Sequence, residues 1–422
     1  MLDIKFIREN KELIALAAKK KHINFVVDEL LAIDDKRRAI MGETEKMRAE
    51  QNTASEKIAR ASSPEERQKL IDSMKSVKVA LEKGEEELKV VMKDWQALML
   101  QVPNIPDMSV PDGDSDADNK EVKSWGTKPS FTFEPRDHVD LMTKLKMVDF
   151  DRGSKVHGFR GYFLTGDGVR LSFAIWNYAL EFFAKRGFNP IIPPIVLRRI
   201  NFLGSGYLPQ GEEDLYKTQD GDFLAGTAEV PIMGMHADEV FSSGELPKKY
   251  LGFSPCYRRE AGAHGKDVRG LIRVHEFYKF EQVIICEANH ETSVKHHEEV
   301  NRNTEEFIES LNIPYHTVVN CGGDLGQGQV KKYDIELWVP KEGKYREISS
   351  ASYFHDFQTR RLNIKYKDAD GVQRYAHSLN STAIPTPRIL VSLVENYQQA
   401  DGSIKIPEVL VKYFGKDTIN LI

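Results

Sequence analysis

Cysteine is scarce in this 422-residue chain, which has three: Cys256, Cys286 and Cys321. That number excludes a disulfide scaffold, and no two lie at metal-ligand spacing, so no zinc is expected. Long apolar runs are also missing. The longest, Leu171 to Phe183, falls short of the roughly 20 residues a membrane span needs and carries Asn177 and Glu181, so no membrane association is expected. The opening Met1-Leu-Asp-Ile is charged within three residues, unlike a secretory leader. These absences point to a soluble, cytoplasmic protein of a reducing compartment. Neither charge sign dominates: 59 basic residues face 64 acidic ones, a net of -5, which argues against non-specific nucleic-acid binding but leaves room for a local basic surface. The common nucleotide and metal signatures are absent too. There is no GxxxxGK[ST], the glycines from Gly322 to Gly328 lack the lysine and hydroxyl residue, no GxGxxG follows a strand, and HExxH does not occur. His290, His296 and His297 lie on one charged helix and read as surface residues rather than ligands.

Glycine and proline almost vanish between His22 and Leu100, where only Gly42, Pro64 and Gly84 occur. Steps of three and four run through Leu30, Ile33, Arg37, Ile40, Thr44 and Met47, and again through Leu81, Gly84, Leu88, Val91, Trp95 and Leu98. Such a seam, held over several heptads in each half, predicts a coiled coil. Ser63-Pro64-Glu65-Glu66 has the order of a capping box with proline at the first helical position, so a second helix starts there. The result is an antiparallel hairpin with its tip near Ser62 and Ser63, each helix reaching roughly 50 Å at 1.5 Å per residue. Its 14 basic and 16 acidic residues leave it nearly neutral, so any RNA contact must use a face, with Arg37, Arg38, Lys46, Arg48, Lys57 and Arg60 as candidates and Lys19, Lys20 and Lys21 at the base. Gly84 in the seam, level with Gly42, marks an expected soft point.

The proline-rich, acidic stretch after Gln101 reads as a linker. The division expected is 1–102 for the helical arm, 103–130 for the linker and 131–422 for a second domain. There, strand-like runs (Tyr250 to Cys256, Val283 to Cys286, Thr317 to Val319, Ile335 to Val339) mix with helices at Val169 to Lys185, His290 to Leu311 and Arg388 to Tyr397. The lack of regular β-then-α alternation predicts an α+β class with a mixed, mainly antiparallel sheet flanked by helices.

What this half offers for phosphate is arginine, whose planar donor fork suits phosphate and carboxylate. Arg258, Arg259, Arg269, Arg273 and Arg388 stand beside glutamates and glycines in two compact stretches. Tyr257 to Glu281 reads as strand, loop, strand, and resembles motif 2 of the class II aminoacyl-tRNA synthetases in its seryl version. Gly187 to Pro194 resembles motif 1, and Asn380 to Arg388, running on to Glu395-Asn-Tyr, resembles motif 3. Gly226-Thr-Ala-Glu229, Arg346-Glu-Ile-Ser-Ser350, Gly206-Tyr-Leu-Pro and the long hairpin extend the resemblance to seryl-tRNA synthetases over the whole chain.

The resemblance implies a homodimer through motif 1 and a two-step reaction: serine and ATP give seryl-adenylate and pyrophosphate, then the seryl group passes to the 3′-hydroxyl of tRNA(Ser), and of tRNA(Sec) where present. It implies Arg258 and Arg388 as catalytic residues. ATP would be bound by Arg258, Glu260, Arg273, Val274, Phe277, Glu347, Ile348, Ser349, Ser350 and Arg388, and Mg²⁺ by Glu347 and Ser350, a hard cation on oxygen ligands. Serine would be bound by Thr227, Ala228, Glu229, Arg258, Glu281, Asn380 and Thr382. The arm would meet the tRNA, while His264 and Lys266 in the motif 2 loop would meet its acceptor end. Ala351-Ser352-Tyr353 departs from the Cys-Ser-Asn of many bacterial members and puts the packing beneath the ATP site in question; Pro385 and Pro387 stiffen the approach to motif 3. Two other readings stay open: a ligase that loads a carrier protein, which would lack the full arm, and a catalytically silent RNA-binding paralogue, which would have lost Arg258, Glu260, Glu347 or Arg388.

Overall fold

The computed structural model describes residues 1–242, 244–262, 265 and 267–421, and divides into two compact units. One comprises residues 2–19 and 23–103. Its body is α1 (Val27–Arg60) and α2 (Pro64–Met99), joined by a three-residue turn. Ser63 Oγ accepts from Glu66 N at 3.2 Å as the capping box requires, but the Glu66 carboxylate closes on Ser62 N at 3.0 Å, one residue earlier than expected. Leu30, Ile40, Thr44 and Ala54 of α1 are buried, as are Leu81 and Val91 of α2.

Two seam positions make close contacts. Arg37 is not an open cation: it holds buried Asp34 through Nε at 3.0 Å and Nη2 at 2.7 Å and lies 4.8 Å from the Trp95 ring centroid, while Arg8 takes the other Asp34 oxygen at 2.6 Å. Gly84, the expected soft point, is closely packed. A Cβ there would lie 2.9 Å from Thr44 Cγ2, so α2 uses glycine to admit a stiff β-branched neighbour, whereas a Cβ at Gly42 meets nothing within 4 Å.

The other unit comprises residues 1, 20–22 and 104–422. Eight strands form its main sheet: β1 (Lys120–Trp125), β2 (Asn189–Ile191), β3 (Lys248–Tyr257), β4 (Glu276–Cys286), β5 (Tyr315–Val319), β6 (Lys331–Val339), β7 (Lys344–His355) and β8 (His377–Thr386), in the order β1-β5-β6-β7-β8-β4-β3-β2. Every pairing is antiparallel except β2 with β3, so the sheet is mixed and mainly antiparallel. The segment read as a linker is partly built in: it supplies the edge strand β1, and buried Asn104 donates to Gly328 O and Phe354 O. Lys21 is likewise structural. Its ammonium is buried against the carbonyls of Gly326, Gln327 and Gln329, and burial pulls its pKa well below the ordinary lysine value.

One sheet face is covered by α3 (Gly166–Ala184) and α5 (His290–Ser310). The other carries α4 (Glu229–Met235), which packs directly on β3 because a Cβ at Gly252 would come within 2.6 Å of Ala228 Cβ. The last helix needed here is α6 (Arg388–Asn396). His296 and His297 of α5, expected at the surface, are buried. His297 Nε2 meets Ala351 O at 2.8 Å between the Tyr333 and Tyr353 rings, while His290 is exposed. Among the described residues no helix is long and apolar enough to cross a membrane.

The two glycines of the arm should behave oppositely. G42A should gain about 1 kcal/mol from helix propensity, and G84A should gain nothing or lose stability. Chemical unfolding, with hydrogen exchange along α1 and α2, reads the difference.

Candidate active site

The end of β3 and the start of β4 place the arginines. Arg258 N donates to His275 O at 3.0 Å, its Nε reaches Gly226 O at 3.4 Å, and its guanidinium lies 5.3 Å from the Phe277 ring centroid. Glu260 sits at φ 54°, an uncommon backbone for a residue with a side chain, and its carboxylate takes Arg273 Nη1. Asp214 anchors the turn by accepting from Arg259 N and Ala261 N. Arg388 opens α6, donating from Nε to Ile272 O at 2.8 Å and from Nη1 to Glu347 O at 2.9 Å. Val274 is buried beside them.

Glu347 and Ser350 lie together on β7, the hydroxyl donating to the carboxylate at 3.2 Å. Partial desolvation works against the Glu347 anion, whose side chain is 49% exposed, but Arg388, Lys332 and Arg258 hold its pKa below the ordinary carboxylate range. Asp334 pairs with Ser350 across β6 and β7 and is pushed up to about 6 by burial, with Glu347 adding to the effect and Lys332 opposing it. Its Oδ2 accepts from Asn320 Nδ2 at 2.6 Å, while its buried Oδ1 accepts no hydrogen bond from the described residues.

A second cluster adjoins the first on the α4 face. Lys279 and Glu281 of β4 form a buried ion pair. Thr227 and Thr382 flank it: Lys279 Nζ donates to their hydroxyls at 3.0 and 3.2 Å, and those hydroxyls donate to Glu281 Oε2 at 3.2 and 3.4 Å. Glu229, the first residue of α4, accepts from Gln358 Nε2 at 2.6 Å and from Tyr207 OH at 3.1 Å. Burial, then the Glu281 charge, pushes the Glu229 carboxyl up to about 7.

The structure thus gathers Arg258, Glu260, Arg273, Phe277, Glu347, Ser350 and Arg388 into one cluster and Thr227, Glu229, Glu281 and Thr382 into another. Other expected residues serve differently. Ile348 belongs to the core, and Ser349 turns its hydroxyl to Thr382 O, so both offer only backbone to a ligand. Ala228 packs on Gly252. Asn380, two residues before Thr382 on β8, is buried, and no hydrogen bond among the described residues joins it to the cluster. His264 and Lys266 lie outside the described residues. The sequence departure at Tyr353 is absorbed by packing: the ring is fully buried, and its hydroxyl donates to Asp107 at 3.0 Å.

Lys279, Gln358, Tyr207 and Asp334 were not singled out from the sequence. Lys279 had a signal, a charge two residues from Glu281 in a strand rich in aromatic and apolar residues; Gln358 had none. His138 was also missed. Its Nε2 accepts from Leu271 N at 3.2 Å, and its Nδ1 meets buried Glu395 of α6 at 3.0 Å, which ties the motif 2 return to the motif 3 helix.

Comparison with known proteins agrees along the whole chain. Residues 1–106 match the family model for the seryl-tRNA synthetase N-terminal domain, and residues 216–397 match that for the tRNA synthetase class II core domain (G, H, P, S and T). A serine–tRNA ligase of Deinococcus radiodurans is 44% identical over 98% of both chains, and one of Treponema denticola is 42% identical over 99% of this chain and 100% of its own. The crystal structure of a seryl-tRNA synthetase from Pyrococcus horikoshii complexed with ATP superposes with a TM-score of 0.92 at 39% identity, covering 100% of both chains. That of a cytoplasmic serine–tRNA ligase from Naegleria fowleri with AMP gives 0.87 at 32%, covering 100% of this chain and 99% of that one.

The Glu229 carboxyl should titrate near neutrality. E281Q should lower its pKa by removing the neighbouring charge, and Q358M should raise it by removing a hydrogen bond to the anion. Carbon-13 NMR of labelled glutamate carboxyls checks both directions.

Proposed function

The chain belongs to the seryl-tRNA synthetase family, and from that premise we propose that it activates L-serine with ATP to seryl-adenylate and pyrophosphate and transfers the seryl group to tRNA(Ser), and to tRNA(Sec) where present. It acts as an ATP-dependent, AMP-forming ligase. The observation that carries this reading is adjacency: an arginine cluster suited to a triphosphate borders a pocket lined by two threonine hydroxyls and two glutamates.

The mechanism follows from what these side chains present. Arg258 lies between the clusters, where one guanidinium reaches both the α-phosphate and the substrate carboxylate and stabilises charge that grows during in-line attack. Phe277 and Arg388 offer opposite faces for the adenine, Glu260 and the backbone at Val274 address its edge, and Arg273 and Arg388 meet the outer phosphates. No general base is required, because the attacking carboxylate is already ionised; the gain comes from positioning and electrostatics. Glu229 meets the substrate ammonium, Glu281 and Thr382 meet the substrate hydroxyl, and Thr227, Ala228 and Asn380 complete the lining.

Glu347 and Ser350 would hold Mg²⁺. The fit is chemical: both are oxygen donors, and the nearby Asp334 Oδ1 is a buried oxygen with no hydrogen-bond donor among the described residues. When bound, the ion neutralises phosphate charge. The structure offers Ile348 and Ser349 to the nucleotide through their backbone alone.

Residues 1–102 act as the tRNA-binding arm, 103–130 as the connection and 131–422 as the catalytic domain. On the arm, Arg38, Lys46, Lys57 and Arg60 are exposed with no ion pair among the described residues, which suits salt-sensitive contacts with an RNA backbone. Arg48 is paired with Glu85. A homodimer through motif 1 is supported by apolar side chains left open on α3 and just past β2: Phe173 is 55% exposed and Ile192 82%. The site of action is the cytoplasm.

Exchange of pyrophosphate into ATP should depend on serine and be far weaker with alanine, glycine or threonine; no exchange with serine would defeat the reading. Removing Asp35 to Asp94 should leave exchange largely intact and abolish tRNA charging, measured by acid-stable aminoacyl-tRNA. T382V should lower the serine-to-alanine ratio of kcat/KM by about 10-fold or more, because a buried hydroxyl partner is lost.

A further inference from the structure

Lys279 is buried on the same strand face as Glu281, with 4% of its surface exposed. An ammonium has three N–H donors and no acceptor. Here all three are engaged: with Glu281 Oε2, Thr227 Oγ1 at 3.0 Å and Thr382 Oγ1 at 3.2 Å. Each threonine hydroxyl has a single proton. Because the lysine can only donate, it takes a lone pair from each hydroxyl, and both protons turn to Glu281 Oε2, at 3.2 and 3.4 Å. The donor-only Lys279 and the acceptor-only Glu281 carboxylate together set the directions of all five contacts in this ring, and Glu229 N donates to the remaining lone pair of Thr227 Oγ1 at 3.3 Å. Glu281 Oε1 accepts no hydrogen bond from any described residue.

We propose that Lys279 fixes the polarity of the serine pocket: by donating to one lone pair of each threonine hydroxyl and to Glu281 Oε2 it leaves Glu281 Oε1 and the second lone pair of Thr382 as the acceptors on offer, so the pocket selects a side chain that donates a hydrogen bond. This rests on the serine reading given above. Lys279 is a positioning residue, acting through Glu281 and the two threonines. An ion pair retained for stability alone would be a poor use of this position, since apolar residues of equal volume commonly serve a buried site as well. Its geometry instead excludes amino acids by hydrogen-bond direction as well as by size: a methyl group leaves Oε1 unmet, and a group that only accepts faces it with repulsion.

The test uses the full chain in pyrophosphate exchange with serine, alanine and 3-fluoroalanine, which is close to serine in size but cannot donate. Wild-type exchange with serine tests the serine reading by itself, and its absence defeats that reading rather than this one. If wild type activates serine, K279M should lose about 10²-fold in kcat/KM for serine, and its preference for serine over 3-fluoroalanine should shrink at least 10-fold, as expected when a directed polar contact is lost. K279R keeps a donor-only cation and should restore the preference in part. An ATP-induced rise in Tm shows which variants are folded. A folded K279M with wild-type ratios among the three amino acids overturns the proposal. If K279M does not fold, K279Q and K279R decide: a reduced preference in K279Q with recovery in K279R supports it, and an unreduced preference in K279Q overturns it.

Discussion

The period of two along β4 puts Phe280, Gln282, Ile284 and Cys286 on the face packed by α3 and α5, while Lys279, Glu281, Val283 and Ile285 turn to the face that carries α4. The site depends on that alternation. Two opposite charges taken from water onto one strand face must satisfy each other or find partners on neighbouring elements, and here they do both, through Thr382 on β8 and Thr227 just before α4. Gly252 supplies the remaining condition by letting α4 approach the sheet closely, which brings Thr227 and Glu229 into reach. The pocket and the arginine cluster are two readouts of one strand register.

The arm and the fold class were legible because helix periodicity and capping are local signals. Ser63-Pro64 and the seam residues carried the tip and the far end of the hairpin to within a residue or two, and its start to within about five. The clustering of Arg258, Glu260 and Arg273 with Glu347 and Arg388 was legible through the resemblance to the family motifs: the first three share one β-hairpin, whereas Glu347 and Arg388 come from a separate strand and helix. What could not be read was partnership across long sequence separations. Gln358 meets Glu229 from 129 residues away, and His138 meets Glu395 from 257. Neither strand period nor local composition carries such a pairing.

The same limit explains the misread cations. Arg37, Lys21 and Arg38 look alike in sequence, as basic residues among charged ones. Arg37 is committed to Asp34 and Trp95, Lys21 to three carbonyls, and Arg38 stands exposed. Burial, which sequence shows poorly for long side chains, separates a structural cation from one free to meet an anion. His296 and His297 repeat the lesson: a helix rich in charge still has an inner face, and these two lie on it.

The His138 bridge deserves a mechanical reading. Since Nε2 accepts the Leu271 amide, the imidazole carries its proton on Nδ1 and gives it to Glu395, which also takes the His138 and Lys341 backbone amides. One rigid ring therefore splices the chain returning from the motif 2 loop to the helix that begins with Arg388. Arg273, two residues beyond Leu271, and Arg388 are thereby tied into a single hydrogen-bonded frame. The grip on a triphosphate would then close as a clamp with coupled jaws rather than as two independent fingers.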